Sequence, residues 1–225
     1  MDDRWLQLSP AERLDQRLQW FSTPIVPFAG PEAEKAYLGR VRRLVDVYKV
    51  QEPDRVPVSL PVGALPAYLY GLDYRTVMYD HGKAAEAWLR FNEEFECDHL
   101  VSPAMLLPAK FYDRLDYKLY SWPGHGMPNA GNGYQYVEGE YMLADEYDDL
   151  IRDFSGYLTR TYMPRAFGAL APLASLANPI NMIELPTSYF MPFAQPEVQA
   201  AHQAFIDAGR DLAEWIKFVS EFSIR

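Results

Sequence analysis

The chain has 225 residues, 49% hydrophobic and 15% aromatic, enough for one domain with a sizeable core or two small ones, and too apolar for general disorder. A formal net charge of −10 argues against nucleic acid, since phosphate backbones need a basic face. No segment has the roughly 18 apolar residues of a membrane span. The opening MDDRWLQLSPAER lacks the apolar core of a signal peptide. The single cysteine, Cys97, allows no internal disulfide, so a cytoplasmic setting is expected.

SPAERLDQRLQWF predicts a first helix over 10–21. Ser9 caps it, Pro10 suits the first turn, Glu12 completes a capping box, and Leu14, Leu18 and Phe21 form the apolar stripe. Pro31 opens a second helix, 32–48, with Tyr37, Val41, Leu44 and Tyr48 on one face. The only basic cluster, Arg40, Arg42 and Arg43, lies on this helix among acidic neighbours and reads as a solvated face. VPVSLPV, 56–62, reads as a buried strand with Pro57 near its start. A short helix and turn follow in GALPAYLYGLDY, then a helix over 83–96 with Ala84, Trp88, Phe91 and Phe95 in register. DHLVSPAML supplies a second buried strand, 99–103, and YKLYSW a third. Strand, helix, strand is the βαβ signature of a parallel sheet.

A glycine-rich loop, SWPGHGMPNAGNGYQYVEGEYM, follows the third strand. Helices are predicted over 143–153 and over about 156–170, the latter kinked at Pro164. A proline-punctuated stretch leads to the clearest helix, 197–219, where Val198, Ala201, Phe205, Ala208, Leu212, Trp215 and Val219 recur at helical spacing. About three βα units leave a parallel sheet with a bare edge, so the chain reads as the first part of something longer.

The run PDRVPVSLPVGALPAYLYGLDYRTVMYDHGKAAEAWLRFNEEFECDHLVSP, together with WPGHG, YQYVEGEYMLADEYDDLI and RTYMPRAFGAL, resembles the uroporphyrinogen decarboxylase superfamily. The resemblance runs from about Pro53 to the end. It implies an α/β fold, the N-terminal portion of a (β/α)8 barrel with about three βα units, preceded by a helical extension over 1–52. The superfamily includes tetrapyrrole decarboxylases and methyltransferases that act with corrinoid proteins. The decarboxylases' arginine segment after the first strand is matched here by PVGALPAYLYG, without Arg or Lys. Their catalytic aspartate after the second strand is matched by Ser102, Pro103, Ala104 and Met105. Tetrapyrrole decarboxylation is therefore not expected, and the methyltransferase side is favoured. The zinc of those methyltransferases belongs to the second half of the barrel; Cys97 has only His99 close by and reads as structural. No cofactor is expected within this chain, and zinc or a corrinoid partner only for a full-length relative.

His125 falls in the loop after the third strand, at the face where barrel enzymes keep their chemistry. It is a candidate for ligand contact or acid/base work, or else for a loop hydrogen bond. His81, His99 and His202 read as a solvent-facing turn, a strand start and a helix flank. The loop lacks the lysine of a phosphate-binding loop and has no set of metal ligands. Glu138 and Glu140, two apart, share one face if they lie on a strand, either for acid/base work or as solvated side chains. Tyr68, Ser102 and Trp122 complete the candidate set as substrate contacts. Three readings stay open: a fragment of a decarboxylase-like enzyme acting on a small molecule, a non-catalytic subunit that completes a barrel with another chain, or a truncated inactive product. Oligomerisation is expected from the bare sheet edge.

Overall fold

The computed structural model describes residues 3–128 and 133–224. Helix α1 (Asp3–Gln7) precedes α2 (Pro10–Ser22). At the start of α2 the Glu12 amide donates to Ser9 Oγ at 3.3 Å, and the Ser9 amide donates to Glu12 Oε2 at 2.8 Å, the reciprocal cap read from SPAE. Pro31 starts α3 (Pro31–Tyr48), with Glu32 and Glu34 in the first turn, where carboxylates complement the helix dipole. Then come α4 (Leu65–Leu69), α5 (Tyr74–Tyr79), α6 (His81–Glu94) and α7 (Ala109–Leu115). A small sheet follows, made of β1 (Tyr120–Pro123), β2 (Gly126–Met127) and β3 (Gln135–Tyr136) in the order β2–β1–β3; β1 runs parallel to β2 and antiparallel to β3.

Beyond the sheet lie α8 (Tyr147–Arg152), α9 (Phe154–Tyr157), a π turn at Leu158–Tyr162, α10 (Met163–Ala166) and a 3₁₀ stretch at Gly168–Ser175. The helix expected over 156–170 is thus broken, but its interruptions are the π turn before Pro164 and Phe167 after it; Pro164 itself sits in the first turn of α10. Short helices α11 (Asn181–Glu184) and α12 (Pro186–Phe190) lead to α13 (Pro196–Ser223). No helix among the described residues is long and apolar enough to cross a membrane.

The protein is mostly helical with a small mixed sheet, so the expected barrel portion is not its fold. Residues 56–62 and 99–102 form no strand, and Pro103 begins a 3₁₀ turn; the backbone chemistry says why. Pro57 and Pro61 bring no N–H to a ladder. What joins the two segments is the Asp98 amide donating to the Val58 carbonyl at 2.8 Å and the Val58 amide donating to the Asp98 carboxylate at 2.7 Å. The Asn92 side chain takes both backbone groups of Val101, each at 2.8 Å, where a neighbouring strand would have taken them. Val56 is 79% exposed, which no buried strand residue is. Of the third strand expected from YKLYSW, the described β1 keeps Tyr120 to Trp122 and adds Pro123.

The chain divides into two compact units, one comprising Met1–Val62 and Leu89–Val101, the other Gly63–Trp88 and Ser102–Ser223. In the first, Leu18, Val41, Leu44, Phe91 and Val101 are buried. The Asp98 side chain there is fully buried and accepts from Arg43 Nη1 at 2.5 Å and from Arg55 Nη1 and Nη2 at 2.7 and 3.0 Å. Burial raises the Asp98 pKa, but the Val58 amide and the Arg55 and Arg43 guanidiniums outweigh it and hold the group below its ordinary value. In the second unit, Val198, Ala201, Ala204 and Ala208 of α13 pack with Leu115 and with Leu170 and Leu173 of the 3₁₀ stretch. Ala204 faces inward where the spacing favoured Phe205, which is 39% exposed; a small residue lets α13 approach its neighbours closely.

Candidate functional site

The sequence Trp-Pro-Gly-His-Gly folds into a tight turn between β1 and β2, inside the second unit. Trp122 and His125 exchange backbone bonds, each amide donating to the other's carbonyl at 2.8 Å. Gly124 has φ +92°, a conformation that favours glycine. A Cβ at Gly124 would stand 2.6 Å from Arg75 Nε, so the glycine also admits the α5 arginine against the turn. The imidazole of His125 stacks on the indole of Trp122, with centroids 4.1 Å apart and planes 6° from parallel. Trp122 is fully buried, whereas the His125 side chain keeps 28% of its surface open.

Around this pair stand Tyr79 and Arg75 of α5 and Asp113 of α7. Trp122 Nε1 donates to the Tyr79 hydroxyl at 3.1 Å, and that hydroxyl donates to Asp113 Oδ2 at 2.6 Å. The other carboxylate oxygen, Asp113 Oδ1, lies 3.7 Å from His125 Nδ1. The Arg75 guanidinium covers the Tyr79 ring at 5.1 Å, makes no ion pair among the described residues, and its charge helps lower the Asp73 pKa after the Thr76 bonds. Burial first, and the bond to Asp113 second, push the Tyr79 pKa up to about 12, so its hydroxyl keeps its proton at neutral pH. An imidazole, a carboxylate, a phenol and a guanidinium therefore meet at one partly open turn, an arrangement that suits proton transfer on a ligand with a negative group.

Two of the six candidate residues read from sequence, His125 and Trp122, come together here. The other four do not join them by any hydrogen bond, ion pair or ring contact among the described residues. Tyr68 is 41% exposed on α4, and burial with nearby Asp73 raises its pKa. Ser102 is half-buried and caps a 3₁₀ turn, its hydroxyl accepting from the Ala104 amide at 3.2 Å. Glu138 and Glu140 are exposed and lie past the end of β3, so the shared strand face expected of them does not form. Of the loop, residues 129–132 lie outside the described residues. Nothing in their spacing marks Tyr79, Asp113 and Arg75 in the sequence: Tyr79 and Asp113 are 34 positions apart and meet only through folding.

The other histidines sit elsewhere. His81 is the first residue of α6 rather than part of a solvent-facing turn, and it stacks on Phe218 at 4.6 Å. It lines an open groove of about 270 Å³ shared with Glu214, Lys217 and Glu221, and burial, helped by Lys110, lowers its pKa. His202 Nδ1 bonds the Val198 carbonyl at 2.8 Å on the flank of α13. No group of three or more His, Cys, Asp or Glu side chains converges among the described residues. A zinc centre takes about four such ligands, so these residues do not fit one, and Cys97 lies buried in the first unit.

No family model, curated protein or solved structure matches this chain.

Proposed function

We propose that the chain is part of a cytoplasmic enzyme related to the uroporphyrinogen decarboxylase superfamily, closer to its corrinoid-linked methyltransferases than to its tetrapyrrole decarboxylases. Its substrate is a small molecule, and His125 is the acid/base group. The observation that carries this reading is the Asp113 carboxylate 3.7 Å from Nδ1 of a partly exposed imidazole, close enough to orient the histidine for proton transfer at its other nitrogen when the contact shortens. His125 Nε2 takes a proton from a reacting group, a thiol in the methyl-transfer case, and the Asp113 charge stabilises the imidazolium that forms. Arg75 offers a positive charge beside the turn. The family resemblance rests on the sequence segments quoted above; a barrel is not part of the proposal.

The test is transfer of a methyl group from methylcobalamin to small thiols by the purified chain, compared with His125→Gln. A positioned acid/base contributes about 10²- to 10⁴-fold, so turnover should fall by at least about 100-fold in the variant. Equal rates in the two proteins would remove His125 from the chemistry.

A second reading, a non-catalytic interaction subunit, is favoured by one observation. Ile183, Leu185, Phe190 and Met191, within ten residues, are 76%, 58%, 53% and 70% exposed, and scattered single apolar residues are the ordinary case for a surface.

A further inference from the structure

We infer that Tyr79, held by the Trp122 indole, positions the Asp113 carboxylate that sets the tautomer of His125, so that Nδ1 carries the proton and Nε2 is the free base. This rests on the acid/base reading of His125 and adds to it a positioning residue and a direction. An indole N–H donates and cannot accept. Trp122 is fully buried, and its Nε1 reaches the Tyr79 oxygen at 3.1 Å, so that oxygen is the acceptor. The phenol proton is left to point the other way, to Asp113 Oδ2 at 2.6 Å. An ionised carboxylate only accepts, so Oδ1 calls for a donor from His125 Nδ1, 3.7 Å away.

That separation exceeds a direct hydrogen bond. Contraction by several tenths of an ångström makes one, and acid/base contacts without substrate are often long. The stacked indole holds the imidazole plane within 6° of its own, which limits rotation of Nδ1 away from Asp113. His125 Nε2 has no hydrogen-bond partner among the described residues. The indole fixes the direction of the Tyr79 proton, and the ionised carboxylate fixes the donor at Nδ1. Tyr79 acts only through Asp113, and its raised pKa keeps the phenol a donor.

The test is two-bond ¹⁵N–¹H NMR of the neutral His125 ring in the full chain, with near-UV circular dichroism as the check on folding. The unmodified protein should hold the Nδ1–H form in about tenfold excess or more, the ratio one charge-assisted hydrogen bond supports. In Asp113→Asn the Tyr79 hydroxyl still donates to the amide oxygen. The amide NH₂ then faces Nδ1, and the ring should switch to Nε2–H. Removing the phenol as well, in Tyr79→Phe with Asp113→Asn, frees the amide to flip and should abolish that switch. An Nε2–H ring in the unmodified protein, or the same switch with and without Tyr79, overturns the inference. The tautomers are read without substrate, so this failure is separate from that of the acid/base reading: equal turnover in His125→Gln would sink that reading and leave the tautomer result standing.

Discussion

Asp98 shows how a single residue can take over the work of a missing sheet. Its fully buried carboxylate binds two arginines and the Val58 amide, and its own amide holds the Val58 carbonyl. Removing one member of such a cluster leaves buried charge without its partner, at about 3–5 kcal/mol. Arg55 is 42% exposed, so water can partly replace the loss, and Asp98→Asn should cost about 3 kcal/mol, the lower end of that range. Urea unfolding at neutral pH, with the midpoint lowered and the slope unchanged, is the measurement. A loss under about 1 kcal/mol would mean that the cluster is not what joins the segments around Val58 and Asp98. His125 belongs to this scale too: its neighbours, rather than its place in a glycine-rich loop, give it a chemical direction.

Between elements, the joint from α8 to α10 depends on Glu146. Arg165 grips this carboxylate through both nitrogens, at 2.7 and 2.5 Å, while the Tyr157 hydroxyl and the Leu143 amide donate at 2.8 and 2.9 Å. The Arg165 guanidinium, then the Leu143 amide, lower the Glu146 pKa to about 2. A carboxylate bound more tightly in the folded state stabilises it above the unfolded pKa, about 4.3. That contribution is lost as pH falls from there through about 2. The thermal midpoint of the unmodified chain should therefore drop across this window, and Glu146→Gln should drop less over the same range. Parallel curves for the two proteins would show that the joint does not carry the acid sensitivity.

At the scale of the whole molecule, exposed apolar side chains are concentrated in one stretch of the chain. The stretch from Ile180 to Met191 carries six large apolar side chains that are 45% or more exposed and one acidic group, Glu184. Val50, Val56 and Met105 are 95%, 79% and 79% exposed. Surfaces of this kind drive association, so the purified chain should be oligomeric by size exclusion with light scattering. Ile183→Glu together with Met191→Glu should shift it toward monomer. A monomeric parent chain that binds no hydrophobic dye would show that these side chains need no cover.

Local chemistry alone determined four helices, α2, α3, α6 and α13. Ser9, Pro10 and Glu12 start α2, Pro31 starts α3, and apolar spacing runs through α6 and α13, because caps and helical period are written within a few residues. The expected helix over 143–153 appears as a 3₁₀ turn, Ala144–Glu146, running into α8. Strands carry no such local record, since a ladder needs donors and acceptors from a second segment. VPVSLPV has the composition of a buried strand, yet its prolines and the Asp98 and Asn92 side chains divert the pairing. The choice of Ala204 over Phe205 was likewise made by what α13 packs against. In the sequence His125 stands out for its expected place at the active face of a barrel, and although that barrel is absent the same loop folds into the turn that stacks it on Trp122. Asp113, Tyr79 and Arg75 became part of the site only when α5 and α7 met that turn, and no residue's own neighbours in the chain record such a meeting.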